Sequence, residues 1–269
     1  MNDSILLSIK EFSALTGTNQ STLRYYDEIG LLPPSKRAEN NYRLYSPVQI
    51  QTLNFISVLA ELGVPLSTIK ELSEHRTPEH VLQLLAQQEK MLDDQLRKIR
   101  TNYSIIHIFR DNIQSGLWAN ENEFIVQEMP EQNFILGQEN HYEENDEFHK
   151  PFIQFCKDSF RNRINLNFPI GGWHKNMSHF LKKASQPMRF FSLDPYGNDK
   201  RKSGKYLVGY YRAYYGVFND FPQRMKNYAD EHKLLFKGPV YVKYLLDEIS
   251  IAKEDEYLAQ VSVEVINRK

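Results

Sequence analysis

The sequence predicts a mixed α and α/β chain: an N-terminal winged helix-turn-helix, one long helix, and a C-terminal α+β domain. Three observations predict it. Two short capped helices with a tight turn between them precede a proline-stopped hairpin. Apolar residues then recur every seven positions from Leu85 to Ile113, the period of a helix that needs a partner. From about Trp118 onward the pattern becomes one of strands and helices.

Ser8 to Gly17 reads as a first helix, with Ser8 at its cap, Ile9, Phe12 and Leu15 on one face and Gly17 as its stop. Gln20 to Leu32 reads as a second: Thr18 and Asn19 cap it, Leu23 and Ile29 face a core, and Gly30 ends it. That leaves Ser21, Thr22, Arg24, Tyr25 and Tyr26 as polar groups able to reach DNA. An ordinary amphipathic surface helix has the same pattern, so the neighbouring elements must decide. The short gap between the helices is helix-turn-helix spacing, in which the first helix braces the second in a major groove. Pro33-Pro34 forbid helix continuation, and Asn40-Asn41 between Lys36-Arg37 and Tyr42-Arg43 is hairpin chemistry, giving a small wing with three cations. Ser46-Pro47 opens a third helix through Ile50, Leu53, Ile56, Leu59 and Leu62 to Gly63. Pro65 to Ser73 adds a fourth, with Leu66, Ile69 and Leu72 facing inward, and residues 1–75 close as a first domain.

Thr77-Pro78-Glu79 caps the long helix, which Ser115-Gly116 is expected to end. Leu85, Leu92, Ile99, Ile106 and Ile113 form one half of a heptad seam; the other half, Leu82, Glu89, Leu96, Tyr103 and Arg110, is interrupted by two charges. An antiparallel homodimer fits this seam, and packing on the chain's own C-terminal domain is the alternative. Residues 76–116 are therefore expected to be the dimerisation segment.

Residues 117–269 form the last domain. Phe124 to Met129 and Phe134 to Gln138 read as strands around the turn Pro130-Glu131-Gln132. Pro151 to Arg163 reads as a helix with Phe152, Phe155, Cys156 and Phe160 near one face, followed by short strands at Ile170 to Trp173 and Met188 to Leu193. Lys205 to Tyr214 reads as a strand, Asp220 to Lys233 as a helix carrying Phe221, Met225 and Tyr228, and Pro239 to Leu246 and Tyr257 to Ile266 as strands. The second half repeats the order of the first, which implies a pseudo-duplicated domain with a cleft between its halves.

Composition narrows the function classes. At 269 residues, 41% hydrophobic and 25% charged, the chain has the make-up of a soluble globular protein of two or three units. Residues 1–76 hold 7 Lys and Arg against 8 Asp and Glu, so DNA binding must rest on a few placed cations rather than a broad field. A single cysteine, Cys156, excludes disulfide frameworks, Cys-rich zinc sites and cysteine-ligated iron–sulfur clusters within one chain. His174 and His179 stand five apart without a carboxylate cluster and read as surface histidines; no metal or cofactor is expected. The N-terminus lacks a basic region and long apolar run, no segment approaches the roughly 20 apolar residues of a membrane span, and a cytoplasmic location is expected.

Ser8-Ile9-Lys10-Glu11-Phe12, Thr22-Leu23-Arg24-Tyr25-Tyr26-Asp27-Glu28-Ile29-Gly30-Leu31-Leu32, Tyr42-Arg43-Leu44-Tyr45 and Leu62-Gly63-Val64-Pro65-Leu66 follow one another in a familiar order. On these motifs the first 115 or so residues resemble the MerR family of transcriptional regulators. The remainder resembles, more loosely, the GyrI-like effector-binding domain of BmrR-like regulators. That likeness rests on Lys205 to Tyr214 with its following helix, on Pro239-Val240-Tyr241 and on Asp255-Glu256-Tyr257, with nothing as specific over residues 117–204. The resemblance implies a homodimer on pseudo-palindromic double-stranded promoter DNA that changes the twist of an overlong spacer, acting on RNA polymerase indirectly. It places DNA contacts at Arg24, Tyr25, Tyr26 and Arg43; Ser21 and Thr22 lie near base edges, and Lys36, Arg37 and Tyr42 complete the expected interface.

The effector end departs from the pattern. BmrR-like domains carry a buried glutamate on the penultimate strand facing a cation pocket, and here that position is Val242. On this strand Val240, Val242, Tyr244 and Leu246 share a face; Tyr206, Tyr210 and Tyr214 share a face of the earlier strand, and Tyr257 opens the last. Val242, Tyr244, Tyr257 and Tyr210 are therefore the expected lining of a tyrosine-rich cleft for an aromatic or cationic small molecule. Glu128 or Glu248 is the substitute carboxylate to consider, and nothing in the sequence selects either. Two other functions stay open: a regulator whose C-terminal domain no longer binds ligand, and a GyrI-like hydrolase of small electrophiles. Val242 argues against the hydrolase, and the adjacent pairs Asp27-Glu28 and Asp247-Glu248 point apart and make poor acid–base couples, so no catalytic residue is assigned.

Overall fold

A computed structural model describes residues 5–74, 77–121, 123–142, 148–162 and 165–268. The chain divides into two compact units, Met1–Arg97 and Lys98–Lys269.

In the first unit β1 (Leu7–Ser8) runs directly into α1 (Ile9–Thr16). A capping box starts the helix: the Glu11 N–H donates to Ser8 Oγ at 3.3 Å and the Ser8 N–H to Glu11 Oε2 at 2.8 Å. Gly17 ends it at φ +68°, a left-handed cap that needs no Cβ. Leu15 was expected on the buried face and is 65% exposed. Each i+3 step falls about 60° short of a full turn, so Leu15 has drifted off the stripe begun by Ile9 and Phe12. Next come α2 (Gln20–Glu28), β2 (Lys36–Arg37), β3 (Arg43–Tyr45), α3 (Gln49–Glu61) and α4 (Leu66–Glu74). The wing turns at Asn41, φ +63°, and gains an unexpected third strand because β1 pairs with β3. Ser46 does not cap α3; its N–H donates to Gln49 Oε1 at 3.1 Å, and Gln49 Nε2 also donates to the Pro33 carbonyl at 2.7 Å, tying the wing's entry to the helix start. The core gathers Phe12, Leu23, Leu53, Ile56, Leu59 and Ile69 around Tyr45, whose ring stacks on Phe12 at 4.6 Å.

The long helix α5 (Pro78–Trp118) contains the boundary between the units. In its first-unit part Leu82, Leu85, Leu92 and Leu96 are all 40% or more exposed. In its second-unit part Ile99, Tyr103 and Ile106 are exposed, whereas Ile113 packs beside Leu245, Leu246 and Leu258. The helix continues through Ser115-Gly116. Gly116 serves close packing, not termination: a Cβ there would lie 2.7 Å from Leu246 Cγ.

The second unit continues with β4 (Phe124–Met129), β5 (Gln132–Glu139), α6 (His149–Arg161), β6 (Ile170–His174), α7 (Met177–Lys182), β7 (Arg189–Ser192) and β8 (Asp199–Arg201). It closes with β9 (Gly204–Arg212), α8 (Phe221–Glu231), β10 (Leu234–Leu246) and β11 (Leu258–Asn267). One eight-stranded sheet has the order β4-β9-β11-β10-β6-β7-β5-β8. The duplication is visible in that order. β5-α6-β6-β7 and β9-α8-β10-β11 are both strand-helix-strand-strand, each places its last strand between its first two, and they join through β6 and β10. β4 and β5 are not a hairpin around Pro130; β4 pairs with β9, and β5 with β7 and β8. On α6 the buried positions are Pro151, Phe155 and Ser159, spaced by four, which turns Phe160 outward at 85% exposure. Arg163, the expected end of that helix, lies outside the described residues.

Candidate DNA interface and ligand pocket

Three residues of α2, Ser21, Arg24 and Tyr25, are exposed at spacing i, i+3, i+4 and so share one outward face, with Thr22 half-buried beside it. Tyr26 is corrected: it is 8% exposed and belongs to the core with Leu23 and Leu31, because adjacent helical residues diverge by about 100°. On the wing Lys36 and Tyr42 are exposed. Arg37 and Arg43 both converge on Asp27 of α2: Arg37 Nη2 lies 2.6 Å and Arg43 Nε 2.5 Å from the same Oδ2. The Asp27 side chain is 8% exposed, so it fastens the wing to the helix with two charge-assisted hydrogen bonds. Nothing in the spacing of residues 27, 37 and 43 announced this clamp.

The second unit contains a cavity of about 520 Å³. Its walls come from both βαββ halves: Phe148, Phe152 and Phe190 from the first, Tyr214, Tyr215 and Phe218 from the second, with Val242 and Tyr244 of β10 between them. Phe148 and Tyr215 are parallel within 3° at 6.0 Å. A Cβ on Gly171 would lie 2.6 Å from the Val242 carbonyl oxygen and 2.2 Å from the Phe191 ring, so this position of β6 takes only glycine. Asp247 and Glu248 stand at the cavity from the turn after β10, and among the described residues its lining includes neither lysine nor arginine. The Tyr215 hydroxyl donates to the Glu248 carboxylate, and burial together with that bond pushes the phenol's pKa up. Burial also raises the Asp247 carboxyl. His174, 1% exposed, lies with its Nδ1 3.1 Å from His179 Nδ1, and burial draws it down to about 3, so it is neutral at pH 7.

Residues 7–76 match a family model described as MerR HTH family regulatory protein. Residues 7–76 are thus a MerR-family helix-turn-helix domain. Over 95% of its length the chain is 24% identical to the multidrug-efflux transporter 2 regulator of Bacillus subtilis (strain 168), spanning 94% of that protein. It is 41% identical over 64 residues to the mercuric resistance operon regulatory protein of Bacillus cereus, covering 24% of this chain and 48% of that one. It is 33% identical over 89 residues to the HTH-type transcriptional activator mta of Bacillus subtilis (strain 168), covering 33% and 35%. The chain thus spans nearly all of the first relative and half or less of the other two.

In the second unit two of the four expected ligand residues, Val242 and Tyr244, line the cavity. Tyr257 stands behind the wall, its ring 5.2 Å from Tyr215. Tyr210 is a correction: it lies on the opposite sheet face with Val208 and Tyr206, its hydroxyl 3.4 Å from Gln260 Nε2. Side chains alternate along β9, so Tyr206 and Tyr210 face away from the cavity; Tyr214 reaches it only because β9 ends at Arg212. Leu246 also leaves the Val240 face, since a register irregularity falls between Tyr244 and Leu246. His174 is not a surface residue but part of the cavity wall. Of the two substitute carboxylates, Glu128 is exposed on β4 and Glu248 is at the cavity.

Proposed function

We propose that this regulator binds double-stranded promoter DNA as a homodimer and is controlled by a flat aromatic cation held in the C-terminal cavity. The observation that carries the ligand reading is an aromatic cavity with two carboxylates and, among the described residues, no lysine or arginine in its lining. Aromatic faces and an anion together favour a desolvated organic cation over a neutral or anionic guest. Glu248 then supplies, from the turn after β10, the charge that Val242 does not supply from the strand. Similarity over 95% of the chain to a regulator of a multidrug-efflux transporter supports control by such a molecule. On DNA, Ser21, Thr22, Arg24 and Tyr25 of α2 enter the groove, while Lys36, Arg37, Tyr42 and Arg43 carry the wing to the phosphates. The exposed part of the heptad row of α5, Leu85, Leu92, Ile99 and Ile106, pairs two subunits antiparallel, RNA polymerase responds through the distorted spacer, and the work takes place in the cytoplasm.

The reading is of a sensor rather than a hydrolase. Asp247 and Glu248 are neighbours on a turn, and Glu248 is already occupied by the Tyr215 phenol, a poor arrangement for an acid–base pair. The deciding experiment is calorimetric titration of the full chain with a methylated acridinium and with uncharged acridine. The cation is expected to bind at least about 10-fold more tightly, and Glu248→Gln to remove most of that preference. Equal affinities for the two compounds in the native chain would refute the cation reading; no binding of either would favour a C-terminal domain that only packs.

A further inference from the structure

On the sheet face opposite the ligand cavity, buried Arg201 and half-buried Lys243 lack a counter-charge among the described residues. Arg201, at the end of β8, is 5% exposed; its Nη2 donates to the Pro130 carbonyl at 3.1 Å, and its Nε has no partner. Its guanidinium lies 5.2 Å from the centroid of the Tyr206 ring, whose own hydroxyl is committed to the Lys202 carbonyl. Lys243 of β10 donates from Nζ to the neutral Asn112 side chain of α5 at 3.3 Å. Burial and the neighbouring Arg201 charge draw Lys243 down to about 8. Among the described residues neither cation forms an ion pair. The acid that Lys243 senses, Asp111, is exposed and closed on Arg110 at 2.9 Å, and Glu264 is closed on Lys237 at 2.8 Å. Holding like charges together out of water without an anion is costly.

Between these groups lies a cavity of about 10 Å³, room for one guest near the size of a water molecule, with Arg201, Lys243, Tyr241, Ser262 and Gln132 on its wall. Every one of those side chains can donate a hydrogen bond, and none is a carboxylate. We propose that this cavity is a site for one small monovalent anion of chloride type, held between the Arg201 guanidinium and the Lys243 ammonium. The anion completes the coordination of Arg201 Nε and neutralises the pair. Its place in the fold gives it a consequence for the whole unit: Lys243 lies between Val242 and Tyr244, which face the ligand cavity, and reaches Asn112 of the long helix. The anion therefore stabilises the seam between β10 and α5, whatever the larger cavity binds.

The test compares the full chain in sodium gluconate and in sodium bromide at equal ionic strength. Gluconate should favour the folded state through ordinary salt effects, so a melting temperature about 5 °C higher in saturating bromide is the signature of a specific site. Lys243→Met, which keeps the length of the side chain, is expected to abolish that difference while keeping the native circular dichroism. Because a core variant can fail to fold, crystals of the native chain soaked in bromide give a second reading. An anomalous peak between Arg201 and Lys243 supports the site; bromide found only on surface residues, or a water in the cavity with no bromide, overturns it.

Discussion

Replacing Asp27 with asparagine separates two roles that the clamp combines. The carboxylate takes Arg37 and Arg43 on a single oxygen and is itself 8% exposed, while the Arg43 and Arg37 side chains are 23% and 41% exposed. A hydrogen bond to a charged group contributes about 1.5–3 kcal/mol. The Arg43 bond should count near that range, and the Arg37 bond much less, since solvent screens it. Asp27→Asn keeps the shape and removes the charge, so the N-terminal unit should lose about 2 kcal/mol and melt roughly 10 °C earlier by differential scanning calorimetry. The effect on DNA discriminates more sharply. The variant removes one negative charge beside the proposed phosphate face and frees two arginines, so a purely electrostatic account requires tighter binding. The clamp account requires the reverse: an untethered wing holds Arg37 and Arg43 in no fixed place, and affinity for promoter DNA falls about 10-fold although net charge has risen. Tighter binding in a gel-shift titration at fixed salt, or an unchanged melting transition, would refute the reasoning.

Three further outcomes are expected. His174 is held at about 3 in the folded chain against 6.5 in the unfolded one, so the unfolded state takes up the proton first and stability falls as pH drops from 6.5 towards 3. The slope reaches about 1.4 kcal/mol per pH unit, and His174→Phe should flatten it in urea unfolding between pH 7 and 5; parallel slopes would show that the histidine is not responsible. Leu92 and Ile99 are 42% and 63% exposed on α5, and Leu92→Asp with Ile99→Asp should convert a dimer into a monomer in sedimentation at micromolar concentration without unfolding either unit. If the doubly substituted chain sediments like the native one, the seam lies elsewhere. Gly171→Ala places a Cβ 2.6 Å from the Val242 carbonyl oxygen and should cost about 3 kcal/mol, read as a lower denaturation midpoint, since backbone cannot move aside as a side chain can. A loss below about 0.5 kcal/mol would mean that β6 and β10 are less tightly joined than their register implies.

Local chemistry was legible in the sequence, and its limit falls where contacts become long-range. Ser8 with Glu11, the Gly17 stop, the Asn41 turn and the seven-residue period of α5 each depend on residues a few positions apart, and each is present. The same local logic failed at Tyr26 and Leu15, where the residue type was compatible with either face and only the angle about the helix axis decided. It failed at Gly116 too: a glycine after serine looks like a stop, and only Leu246, far along the chain, shows that it is a packing site. Tyr210 and Leu246 were misplaced for a related reason. Alternation predicts a face only while a strand continues unbroken, and β9 ends before Tyr214 while β10 loses register before Leu246.

In the proposed cation reading, the acid missing from the strand is replaced from elsewhere in the fold. Val242 occupies the strand position where the resemblance implies an acid, and it lines the cavity wall. The proposed charge comes from the turn instead. Glu248 is brought to that wall by the turn after β10 and held there by Tyr215, 33 positions earlier in the chain, a pairing with no signature in local spacing. The phenylalanines opposite come from the other half of the duplicated unit, and they reach the same cavity only because β6 and β10 join the halves. A carboxylate on a turn is less rigidly aimed than one on a strand. Cation selectivity here should therefore depend on the Tyr215–Glu248 bond as much as on the acid itself, and Tyr215→Phe should weaken the preference for a cation while leaving binding of a neutral aromatic intact.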